Sequence, residues 1–182
     1  MSRSQAGFSL LETLTTIGLL AIVSGMAVIQ MKGSLAAVEA DDASNLVRSQ
    51  FNYARQLAVN ERRNVVVGFW GNNEIKVTRQ DTGGGSTVMA DVTLPGSFTF
   101  ALASGAGDTP DGFNCGTPVY LNAATSGTFL GDGTFVDASS LLANGCVFTK
   151  GSGNGTARAV ALAGATGKIK QYWLQGTTWV AK

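Results

Sequence analysis

The sequence predicts an α+β chain in which a long N-terminal α-helix, partly transmembrane, packs on a C-terminal antiparallel β-sheet head. Three observations carry that expectation. An apolar run from Phe8 to Met31 contains a single charge, Glu12. Helical periodicity continues beyond it in amphipathic form to about residue 61. The chain then changes to short β-prone stretches separated by glycine clusters.

Composition bounds the answer. A chain of 182 residues has room for one domain with a real core and an appendage. The 24 glycines, beside 3 prolines and 45% hydrophobic residues, fit a turn-rich β domain rather than a disordered chain. There is no histidine, which removes most general acid–base, Ser-His-Asp, Cys-His and imidazole–metal sites. No enzymatic role, cofactor or metal is therefore expected.

The first element is the apolar run. As a helix, residues 8–31 would be ~36 Å long, enough to cross a hydrocarbon core of ~30 Å. The stub ahead of it, MSRSQAG, carries Arg3 and the amino terminus, which keeps it in the cytoplasm and directs the rest of the chain outside. A secretory signal peptide would have a shorter apolar core followed by a small-residue cleavage site. A carboxylate inside a membrane helix costs about 2.5–3.5 kcal/mol, so Glu12 calls for a partner. A cut between Gly7 and Phe8 would create one, because the new α-amino group of Phe8 would lie at the same depth. No proline precedes Pro95, so Gly18, Gly25 and Gly33 are the flexible points of this helix.

The string Gly7-Phe8-Ser9-Leu10-Leu11-Glu12 ahead of an apolar helix resembles the processing site of type IV pilins and type II secretion pseudopilins. The resemblance implies cleavage after Gly7 by a prepilin peptidase, N-methylation of Phe8, and pairing of Glu12 with the N-terminus of a neighbouring subunit. It divides the chain into a leader (1–7), a transmembrane and assembly helix (8–31), an amphipathic continuation (32–61) and an extracytoplasmic β-rich head (62–182). The implied location is the bacterial inner membrane, crossed once, with the head in the periplasm or outside and the chain in a filament after assembly. The implied partners are other pilins or pseudopilins, met through the N-terminal helix.

In the continuation, Val47, Phe51, Ala54 and Ala58 recur at helical spacing while Arg48, Arg55 and Arg62 turn elsewhere. With no second amphipathic helix, the partner of that face is a β-sheet. A break is expected at residues 60–64. The strands expected after it are 64–70 and 74–80 around Gly71-Asn72-Asn73, then 87–94, 97–103, 118–124, 156–164 and 168–175, and a last one ending at Ala181. That makes seven or eight. The head segments Tyr53-Ala54-Arg55 to Arg63-Asn64-Val65, Phe129 to Gly133, and Thr166-Gly167-Lys168-Ile169-Lys170 with Trp179 resemble the GspH/FimT type of minor pilin and pseudopilin.

Charge in the head is polarised. Asp81, Asp91, Asp108, Asp111, Asp132 and Asp137 lie in a stretch without Lys or Arg. Lys150, Arg158, Lys168, Lys170 and Lys182 lie in a stretch without Asp or Glu. Lys168 and Lys170 share one side of a strand with Tyr172. At this place some related minor pilins of transformable bacteria carry a G-R-x-R element implicated in DNA uptake, so Lys168, Lys170 and Arg158 form a candidate DNA-binding set. The other reading is a solvated hairpin that balances the acidic segment. Lys is a poorer bidentate phosphate ligand than Arg. Asp108-Thr109-Pro110-Asp111-Gly112 and Gly131-Asp132-Gly133 raise the question of Ca²⁺, but they lack EF-hand spacing and read as turns. Cys115 and Cys146 read as a disulfide if the head is extracytoplasmic, and otherwise as two buried thiols.

Overall fold

A computed structural model describes residues 9–182 except Asn154, and omits the side chains of 27–33. The first element is helix α1, Leu10–Glu61. Its first turn is closed by the amides of Glu12 and Thr13, both donating to the carbonyl of Ser9. The chain divides into two compact units, residues 1–35 and residues 36–182.

In the first unit, the large apolar side chains from Leu10 to Met26 are exposed, between 61% and 81% where they point outward. Among the described residues no helix is long and apolar enough to cross a membrane. The expected span 8–31 has its ends, Phe8 and the side chains of 27–31, outside the described residues.

The second unit is built on residues 36–61 of α1. Ala40, Ala43, Val47, Phe51, Ala54 and Ala58 are spaced by three or four residues and are at most 1% exposed. This is the apolar stripe expected of a helix laid on a sheet. The helix stops where the periodicity stops. Arg62 takes a left-handed φ of 52°, and the amide of Arg63 donates to the carbonyl of Ala58, as in a Schellman cap.

Two antiparallel sheets follow. The first has the order β3-β2-β1-β6-β7, with β1 at Val65–Trp70, β2 at Glu74–Gln80, β3 at Ser86–Thr93, β6 at Ser126–Phe129 and β7 at Phe135–Val136. The second has the order β11-β10-β9-β8-β4, with β4 at Thr99–Phe100, β8 at Gly145–Lys150, β9 at Arg158–Ala163, β10 at Lys168–Gln175 and β11 at Thr178–Ala181. Strand β5, Val119–Leu121, also pairs with β8. The hairpin at Gly71-Asn72-Asn73 stands where it was expected, and Gly83-Gly84-Gly85 joins β2 to β3.

Among the described residues eleven strands replace the seven or eight expected. β6, β7 and β8 were not anticipated. β8 is buried on both faces over its first five residues, so it shows no alternation, and its six residues, GCVFTK, are too short to read otherwise.

The main core lies between α1 and the inner faces of both sheets. Phe51 sits within it, with ring centroids at 5.7 Å from Phe69, 6.4 Å from Phe129 and 6.2 Å from Phe135. A second cluster covers the other face of the second sheet and includes Cys146, Phe148, Ala159, Ala161, Tyr172 and Trp179. Leu102, Ala103, Ala106 and Phe113 from the preceding loop close over it. The Cys115–Cys146 disulfide, with Cα atoms 6.0 Å apart, staples that loop to β8.

Candidate functional site

Of the expected N-terminal residues, Gly7 and Phe8 lie outside the described ones. Glu12 is described. It stands exposed in the first turn of α1, where the helix dipole favours a carboxylate, and its carbonyl accepts from the hydroxyls of Thr15 at 3.0 Å and Thr16 at 2.6 Å.

In the head, the β9–β10 hairpin carries Lys168 and Lys170. Its turn ends at Gly167, whose φ is +62°, and a Cβ there would come within 2.3 Å of Arg55 Nε. Arg55 reaches from α1 to donate to the carbonyls of Gly133 and Thr166, both at 3.2 Å. One guanidinium thus pins two hairpin turns to the helix.

Beyond that turn, Lys168 and Lys170 are exposed on the strand face that points away from α1. Lys170 is bonded to Asp111, whose side chain is only 8% exposed, and Tyr172 Oη donates to the same carboxylate at 2.7 Å. Hydrogen bonding to Asp111, then its charge, raises the Lys170 pKa. Burial, then the Asp111 contact, raises that of Tyr172. The basic hairpin and the acidic stretch therefore meet within one fold, and Lys170 already holds a counter-ion. Lys168 lines a shallow cavity of about 180 Å³ with Asp111, Phe113 and Lys170.

Arg158 is placed differently from the DNA-contact expectation. It is 4% exposed, and its Nε donates to Asp41 Oδ1 at 2.7 Å. Its remaining nitrogens donate to the carbonyls of Gly155 at 2.8 Å, Ala157 at 3.0 Å and Ala37 at 3.4 Å. Lys182 Nζ reaches the other oxygen of Asp41 at 2.5 Å. Arg158 is thus an internal tie between helix and sheet, buried and with four of its five N–H groups already spent within the fold. Arg48 and Asn45 extend the tie, both bonding to Gln171 at 3.1 and 3.0 Å. The polar stripe Asp41, Asn45, Arg48, spaced four and three, is the sequence signal that could have found this seam.

Asp108 and Asp132 serve their own turns. Asp108 accepts from the amides of Thr109, Asn114 and Cys115, and Asp132 accepts from the amide and hydroxyl of Thr134. These carboxylates organise loops, as their turn chemistry predicts.

A helix entered by an apolar segment with one early carboxylate, and then laid on an antiparallel head, is a pilin-like fold. The prokaryotic N-terminal methylation motif matches residues 2–28. The fold is similar to the crystal structure of the Pseudomonas aeruginosa (strain PAO1) type IV minor pilin FimU. The TM-score is 0.51 and the identity 14%, and the match covers 78% of this chain and 92% of that one. Comparison with curated proteins finds no match.

Proposed function

We propose that the protein is a minor pilin or pseudopilin of a type IV pilus or type II secretion system. A prepilin peptidase removes residues 1–7, Phe8 is N-methylated, and residues 8–31 anchor the chain in the inner membrane until it enters the filament at or near its tip. The carrying observation is that one chain joins the methylation motif at residues 2–28 to a FimU-like helix-on-sheet head. The Cys115–Cys146 bridge supports an extracytoplasmic head, because disulfides persist in oxidising compartments. The role is structural rather than catalytic.

The test is mass spectrometry of the N-terminus after co-expression with a prepilin peptidase. The expected product begins at Phe8 and carries one added methyl group. A chain that keeps Met1–Gly7 in the presence of active peptidase overturns the reading.

A further inference from the structure

The outer face of the first sheet holds an aromatic side chain that the core does not use. Along β1, Val65, Val67 and Phe69 face the helix, so Val66, Gly68 and Trp70 face outward. Trp70 is 57% exposed. Its indole folds back over Gly68: a Cβ there would stand 3.0 Å from Trp70 Nε1 and 3.7 Å from Cε2. A Cβ at position 68 would press on the indole, so glycine gives the ring room to lie on the strand. Gly68 is buried, while more than half of Trp70 stays exposed, with Lys76 Nζ over its ring.

Strand register sets the surroundings. Gly68 opposes Lys76 on one side and Ser126 on the other, Lys76 in turn opposes Asp91, and Trp70 opposes Glu74. A row of Asp91, Lys76, Gly68 and Ser126 therefore crosses four strands, about 14 Å at ordinary strand spacing. Lys76 Nζ lies 2.6 Å from Glu74, 3.5 Å from Asp91 and 5.8 Å from the indole centroid. The face offers one supported aromatic ring among hydroxyls, two carboxylates and one ammonium.

That combination selects a ligand class. The negative face of an indole attracts the polarised C–H bonds of a sugar ring, and carboxylates, hydroxyls and an ammonium are the partners that ring hydroxyls need. A polyanion would meet two carboxylates and find the single cation already neutralised. An apolar protein surface would have to strip water from three ionised groups. We propose that this face binds a neutral polysaccharide, with one sugar ring stacked on Trp70 and neighbouring hydroxyls held by Glu74, Lys76, Asp91 and Ser126. The platform is independent of how the chain is processed or assembled.

The experiment is native affinity electrophoresis of the full chain in a zwitterionic, sugar-free detergent, through gels containing laminarin, dextran or mannan. Retardation is expected in at least one gel. Trp70→Ala is expected to lower the association constant roughly tenfold, as loss of one stacked ring does elsewhere. Trp70→Phe keeps part of the retardation, and Lys168→Ala/Lys170→Ala is retarded as much as the parent, each measured against its own mobility in a gel without polysaccharide. Near-UV circular dichroism checks that each variant keeps its fold. Unretarded migration in all three gels overturns the proposal, as does equal retardation of Trp70→Ala. A mobility shift with duplex DNA that Trp70→Ala abolishes, without any polysaccharide effect, overturns the ligand class.

Discussion

Asp41 joins two cations that lie far from it in sequence, Arg158 and Lys182. Burial raises its pKa, but the hydrogen bonds from Lys182 and Arg158, with their charges, outweigh that and hold the carboxyl below its ordinary value. Asp81 shifts the same way through Thr87 and then Arg79, and Asp137 through the Leu141 amide and then Asn122. A carboxylate with a depressed folded pKa stabilises the fold above its unfolded value and loses that contribution as pH falls through the folded one. The urea midpoint should therefore stay level near neutrality and fall below about pH 4. Asp41→Asn should start lower, by about 2 kcal/mol, because it leaves Arg158 buried without its carboxylate, and its acid decline should be shallower. Unfolding curves across pH check both. Gly167 makes a second residue-scale case. Its φ of +62° and the 2.3 Å approach of a Cβ to Arg55 Nε predict that Gly167→Ala destabilises the head by about 1–3 kcal/mol. Thermal melts test that, and an unchanged midpoint would show that the Arg55 clamp yields freely.

Two elements are anchored by long-range contacts that single substitutions can probe. Helix α1 is held to the first sheet around Phe51, which is 1% exposed and ringed by Phe69, Phe129 and Phe135. Phe51→Ala should remove about 3–5 kcal/mol, measured by denaturant unfolding, since a helix seated on a hydrogen-bonded sheet closes the cavity only in part. A loss under 1 kcal/mol would mean that the aromatic cluster collapses into the space. The loop before β5 is held instead by the Cys115–Cys146 bridge, whose ends are 31 residues apart. Replacing both with alanine should lower stability by about 3–4 kcal/mol in the chain-entropy model. Faster amide exchange should appear first around residues 101–118, over the second core, where Trp179 Nε1 donates to the carbonyl of Gly107. Uniform exchange across the head would place the effect in the unfolded chain alone.

At the scale of the molecule, the two compact units answer to different surroundings. Residues 36–182 carry both hydrophobic cores, whereas the apolar side chains of 10–26 are exposed. Under the proposed function, Glu12→Ala should leave the chain in the membrane fraction and abolish its incorporation into filaments. Cell fractionation and filament immunoblots separate those outcomes, and normal incorporation would remove Glu12 from assembly. Much of this was legible in the residues themselves. The stripe through Val47, Phe51, Ala54 and Ala58 names the buried helix face, and glycine at 71, 83–85 and 167 names the turns, because helical periodicity and left-handed φ are local properties. β8 was not legible, since a strand buried on both faces has lost the alternation that marks a strand. Nor was the fate of the basic residues. Arg158, Lys168 and Lys170 look alike in sequence, yet Asp41 lies 117 residues from Arg158 and Asp111 lies 59 from Lys170. Local periodicity and glycine thus determined the buried helix face, the end of the helix and most of the strands. Only the tertiary structure decided which charges are spent inside the fold, because electrostatic pairing depends on distance in space and the sequence records only distance along the chain.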